Sequence, residues 1–187
     1  TTDFREYTTI VVPYCTQDVH QGNAFDVEYE DGSVINHCGS HNVDAVLEYL
    51  YKNIRNPSHI VLTGCSAGGT ALPVAYGLLH QHYNGWMGSR TQLSVLADSA
   101  VFLTPSYFLE NAFALWQPWR FDERLGFNWN KYALDTNYPT ELWTYIMRKH
   151  GNPRDQWGFV SHTADWVSIA YYEWMSGYHE NNDDDDR

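Results

Sequence analysis

Ser66 stands at the centre of Gly64-Cys65-Ser66-Ala67-Gly68, a G-x-S-x-G spacing that can hold a nucleophile on a tight turn. The pattern carries weight only between an apolar strand and a helix. Residues 59–63 (HIVLT) and residues 67–79 (AGGTALPVAYGLL) supply both. The small residues on either side of the serine suit a strained turn that keeps its hydroxyl clear of the backbone. The N–H of Ala67, at the start of the helix, is placed to donate to an oxyanion. The chemistry such a turn serves is acyl transfer. The plainer alternative is a glycine-rich turn with an incidental serine.

A serine hydroxyl at its ordinary pKa is a weak nucleophile, so it needs a histidine base and a carboxylate that orients the base. After such a turn the expected order is serine, acid, histidine, with the acid just beyond a later strand. Asp165 fits, because it follows an expected strand at 157–161. Asp98 follows the strand immediately after the nucleophile and reads as a supporting residue. Asp135 and Asp155 fall in irregular stretches. The histidine is harder to place. Only His179 lies downstream of Asp165, with no strand between them, and His162 precedes the acid. The base is therefore expected outside this chain, with His179 the weaker candidate.

The elements that must position these residues follow from periodicity. Residues 7–14 (YTTIVVPY) are β-branched and read as a buried strand. A Gly- and Asp-rich stretch, 17–39, is expected to be a loop with a hairpin near Asp31-Gly32. Ser40 is expected to cap a helix to about residue 54 through Val43, Val46, Leu47, Leu50 and Ile54, with Asn56-Pro57 ending it. The near-continuous apolar run 59–63 suits a central parallel strand. Further elements are a helix at 67–82, a strand at 93–97, a helix capped by Thr140 and ending near His150, the strand at 157–161 and a helix at 165–175. Alternating strands and helices indicate an α/β fold with a mostly parallel sheet. Residues 99–139, rich in aromatics, read as an insertion or lid. One domain is expected over 1–177, with an acidic tail at 178–187.

Composition narrows the partners. The formal charge is −12, from 23 acidic against 11 basic residues, which disfavours nucleic acid and anionic membranes. The run Asp183 to Asp186 reads as a solvated tail; followed by Arg187, it also suits trypsin-like processing. No run approaches the ~18 apolar residues of a membrane span. Residues 1–7 do not resemble a signal peptide, and the chain does not begin with Met. Aromatic residues make up 16% of the chain, which fits either a large aromatic core or rings that stack on sugars.

Three blocks, VPYCTQDVHQG (12–22), GCSAGG (64–69) and Ala97-Asp98-Ser99, together resemble the pectin acetylesterase family across residues 8–103. The stretch 159–172 (FVSHTADWVSIAYY) resembles the acid-bearing segment of bacterial members more loosely. The resemblance implies an α/β-hydrolase-like fold and metal-free, cofactor-free hydrolysis of carboxylic esters, with Ser66 as nucleophile and Asp165 as acid. Asp18, His20 and Gly22 match a family loop near the active site and are expected to shape the pocket. The alternative is that Asp18 caps a turn and His20 only packs.

Two family features, a Gly-Gly-Gly-Trp-like loop and the histidine segment, have no counterpart here. The chain is therefore expected to be a fragment joined by companion fragments of one precursor. The expected substrate is an acetylated polysaccharide and the expected location is outside the cell. A lipid ester, or a non-catalytic binding module, are the alternatives. Cys15 and Cys38, 23 positions apart, are expected to pair on spacing and resemblance, although an odd count of three leaves a bond to another segment open. Cys65 is expected to be a buried thiol.

Overall fold

The computed structural model describes residues 4–85, 91–100, 103–118, 122–128 and 137–176. Strands β1 (Ala24–Glu28) and β2 (Val34–His37) form an antiparallel hairpin. Its turn closes with the Gly32 N–H on the Tyr29 carbonyl at 2.9 Å, and Gly32 takes φ +78° there. Helix α1 (Gly39–Asn53) follows, then β3 (His59–Cys65), α2 (Ala67–Thr70), α3 (Leu72–Asn84) and β4 (Gln92–Asp98). Short helices α4 (Ser106–Phe108), α5 (Ala114–Trp116) and α6 (Asp122–Leu125) lead to α7 (Tyr138–His150), β5 (Gln156–Val160) and α8 (Trp166–Met175).

Strands β3, β4 and β5 form a parallel sheet in that order. In register, Leu62 pairs with Val95 and Val95 with Trp157. The pleat therefore points Leu93, Val95, Ala97, Trp157 and Phe159 to one side. That side carries the core: Trp157 meets Tyr76 of α3 at 4.3 Å and Trp143 of α7 at 5.7 Å between ring centroids. Helix α1 docks on α3 through buried Leu47 and the Tyr51–His82 stack. Leu109, Phe113 and Trp116, within the aromatic stretch, also belong to this core. On the opposite side of the sheet, Leu96 and Val160 are exposed.

The helices and strands differ from expectation mainly at their ends. Helix α1 starts two residues early, with Cys38 rather than Ser40 at its N-cap, and the buried Ser40 hydroxyl has no partner. The expected helix 67–82 is broken at Ala71, where Pro73 starts α3 afresh. Helix α7 begins before Thr140, with Asn137 as its N-cap. The largest difference is residues 8–14. They form no ladder among the described residues, and Val11 is exposed. β-branched residues favour a strand only where a neighbouring strand is on hand. Asp135 and His179 lie outside the described residues.

Candidate functional site

β3 delivers the chain to Ser66, which takes φ +52° and ψ −120° before α2 begins. A non-glycine residue there is strained by about 1–3 kcal/mol. The surrounding bonds hold it. The Ser66 N–H donates to the Asp98 carbonyl at 2.8 Å, and the Thr70 N–H donates to the Ser66 carbonyl at 3.0 Å. Space dictates two of the glycines. A Cβ on Gly64 would lie 2.5 Å from the Gly68 carbonyl carbon, and one on Gly69 would lie 2.4 Å from the Ala100 Cβ. Gly68 has nothing within 4 Å of such a Cβ, so its role is not close packing. Ser66 is exposed. Ala67 opens α2, so its amide has no acceptor within the helix.

Asp98 ends β4 beside the turn. Its carboxylate accepts from the Ser99 hydroxyl at 3.2 Å, and the Ser99 N–H donates to the Val160 carbonyl at 2.7 Å. Asp165 caps α8. Its Oδ1 accepts from the amides of Ser168 at 3.0 Å and Val167 at 3.1 Å. The Ser168 amide and hydroxyl chiefly hold the carboxyl below the usual range, helped by the Val167 amide. Asp165 is thus kept ionised near the C-terminal ends of β4 and β5, where parallel sheets place ligands.

The loop carrying Asp18, His20 and Gly22 packs onto the same end. The Gln21 amide donates to the Thr70 carbonyl of α2 at 3.1 Å and accepts from the Tyr138 hydroxyl at 2.7 Å. Gln17, Val19 and His20 all have positive φ, an unusual load for non-glycine residues. Fully buried Asp18 holds the loop in this shape. Its carboxylate accepts from the Thr16 hydroxyl at 2.6 Å, the Gly39 N–H at 2.6 Å and the His20 N–H at 3.1 Å. A Cβ on Gly22 would lie 2.3 Å from Asp18 Oδ2. Burial lowers the pKa of the His20 imidazole against the opposing pull of Asp18, and its ring packs on Tyr14 at 4.9 Å. Asp18 therefore does the capping work of the plainer reading. Gln21, which ties this loop to the Ser66 turn, was not anticipated. Its one signal in the sequence is its place inside the VPYCTQDVHQG block.

Among the described residues, no histidine bonds the Ser66 hydroxyl, and His162 is exposed. Asp155 is structural: it accepts from the Tyr76 hydroxyl at 2.5 Å and the Leu93 N–H at 3.0 Å. The expected Cys15–Cys38 bond is not formed, for all three cysteines are free. Cys65 is exposed rather than buried, because it points to the side of the sheet away from α3 and α7. No group of three or more His, Cys, Asp or Glu among the described residues is arranged to hold a metal ion. No described helix is long and apolar enough to cross a membrane.

Comparison with known proteins bears on this geometry. The structure of the Wnt deacylase Notum from Drosophila in its second crystal form matches with a TM-score of 0.50 at 17% identity. The match covers 92% of this chain and 55% of that one. The first crystal form gives 0.44 at the same identity, covering 92% and 54%. This chain thus spans a little over half the length of those structures. At such identity the likeness speaks for the fold, which is α/β-hydrolase-like. No curated protein matches. The family model for pectinacetylesterase matches residues 1–116, which take in the Asp18 loop, the Ser66 turn and the Asp98-Ser99 corner. Those three pieces are the ones that meet at the end of the sheet, and the chain belongs to the pectinacetylesterase family.

Proposed function

We propose that this chain carries the nucleophile side of a serine carboxylic-ester hydrolase. The observation that carries the reading is the strained Ser66 turn, φ +52° on a non-glycine residue between a parallel strand and a helix. In this reading Ser66 Oγ attacks the acyl carbon and the Ala67 N–H donates to the developing oxyanion. Asp165 orients a histidine that takes the serine proton and passes it to the departing alcohol. Water then attacks the acyl-enzyme and releases the acid. No metal or cofactor takes part. Asp18 and Gly22 fix the loop that walls the site, and His20 lies in it.

The histidine comes from outside the described residues: from His179, or from polypeptide that joins this chain. The exposure of Ser66 and the match to little over half of the Notum chain support a site completed by further polypeptide. The proposed substrate is an acetyl ester on a polysaccharide, supported by the family, and the proposed location is outside the cell. Exposed Trp166 and Val167 beside Asp165 favour a second reading, a lipid ester; Notum is named as a Wnt deacylase.

The test is a fluorophosphonate probe on the native protein that contains this chain. An adduct on the Ser66 peptide, lost in Ser66→Ala, is the expected result. Absence of adduct on folded protein with an accessible site would leave a non-catalytic relative. Comparing release of acetate from acetylated polysaccharide with release of a long-chain acid then separates the two substrates.

A further inference from the structure

Gln21 is fully buried, and both ends of its side-chain amide are bonded. Its Nε2 donates to the Thr70 carbonyl at 3.1 Å, and its Oε1 accepts from the Tyr138 hydroxyl at 2.7 Å. Thr70 in turn holds the Ser66 carbonyl twice. Its N–H donates to that oxygen at 3.0 Å and its hydroxyl at 3.2 Å. A line of hydrogen bonds therefore runs from the start of α7, through Gln21, to the strained Ser66 backbone. Helix α2, which carries this line, has four residues and breaks at Ala71 before α3 begins. So short a helix depends on tertiary contacts for its position. Gln21 is itself held by its loop: its N–H donates to the Asp18 carbonyl at 2.9 Å, and the next carbonyl, that of Gly22, accepts from the Ser40 N–H at 3.1 Å.

We propose that Gln21 is a positioning residue: its amide clamps α2 to α7 and so fixes the Ser66 turn for attack on the ester. This rests on the reading of Ser66 as nucleophile. Gln21 does not meet the acyl group. It acts through Thr70 and the Ser66 carbonyl, and both Ser66 Oγ and the Ala67 N–H move with that turn. A misplacement of ~1 Å in a reacting group can cost about a hundredfold in rate. The oxyanion donor acts on the tetrahedral intermediate rather than on the bound ester. A loosened clamp should therefore lower turnover while leaving the surfaces that bind substrate in place.

Two variants separate positioning from stability. Gln21→Met keeps the reach of the side chain and removes both polar ends of the amide. On the native protein containing this chain, it should lower kcat on p-nitrophenyl acetate and the rate of fluorophosphonate labelling about ten- to a hundredfold, with KM little changed. It also takes the acceptor from the Tyr138 hydroxyl, so Tm should fall. Gln21→Met combined with Tyr138→Phe removes that hydroxyl too. Tm should then recover in part, whereas kcat should stay low, because the Thr70 carbonyl still lacks the Gln21 donor. A purely structural role would leave kcat of folded Gln21→Met at the wild-type value, or would restore kcat along with Tm in the double variant. Either result overturns the inference alone. If Gln21→Met does not fold, the double variant decides, and wild-type kcat in it overturns the inference. If the wild-type protein gives no fluorophosphonate adduct at Ser66, the esterase reading falls, and this inference falls with it.

Discussion

The three glycines around Ser66 look alike in the sequence and differ in the structure. Gly64 is pressed against the backbone of Gly68, Gly69 against Ala100, and Gly68 faces open space. The consequences of adding one methyl group should therefore diverge. Gly64→Ala must move the backbone of α2, since a carbonyl carbon at 2.5 Å cannot turn aside as a flexible side chain would. A cost of about 1–3 kcal/mol is expected, together with displacement of Ser66 and loss of probe labelling. Gly68→Ala should change stability by less than ~0.5 kcal/mol, the usual range for a surface substitution. Thermal denaturation of the two variants checks both. Equal losses would mean that the turn does not hold the shape described. The place of the Ser66 turn between β3 and α2, and of Asp165 beyond β5, was legible because apolar runs and small residues mark strand ends and turns. The tie from Gln21 to Thr70 was not, because a glutamine amide reaching a carbonyl 49 residues away leaves no local pattern.

At the scale of elements, the seam between α3 and α7 carries a polar cluster that composition did not reveal. The rings of His80 and His150 lie 6.0 Å apart, and His150 Nε2 is buried without a partner. Burial lowers both imidazole pKa values; nearby His80 and Lys149 lower that of His150 further, and Asp155 opposes the shift at His80. Tyr76 joins the seam: its hydroxyl, which donates to Asp155, lies 3.2 Å from the His150 carbonyl. Both histidines are thus neutral in the fold and ready to charge once unfolded. The unfolded state binds more protons as pH falls below 6.5, the unperturbed value. Stability should therefore be full above that pH and decline as pH falls through it. Tm followed from about pH 8 to about pH 5 should fall, and His150→Gln should flatten the slope. A slope unchanged by the variant would remove His150 as its source. The helices themselves were readable, since Val43, Val46, Leu47 and Leu50 recur at helical spacing. Residues 8–14 misled for a physical reason: β-branching signals a liking for a sheet neighbour, and the described residues offer none.

The whole molecule has one finished side and one unfinished side. Helices α3 and α7 cover one face of the parallel sheet, whereas Leu96 and Val160 on the other are exposed. Parallel sheets ordinarily have both faces covered. Helix α8 repeats the pattern: it is apolar around most of its circumference, yet only Met175 is buried, and Trp166 and Trp174 are 77% and 58% exposed. A helix apolar all round belongs in an interior. Asp165 caps this helix, and the esterase reading requires the histidine beside it. We expect further polypeptide to cover the sheet face and α8 and to complete the site. In the native protein, Trp166 and Trp174 should resist oxidation by N-bromosuccinimide, and in this chain prepared alone both should react. The isolated chain should also self-associate in sedimentation, since Leu96, Val160 and the α8 aromatics are exposed apolar surface. Protection in the native protein together with Ser66 labelling would tie closure of this face to assembly of the site. Equal reactivity in both preparations would mean that α8 remains on the surface and that the histidine reaches Ser66 by another route.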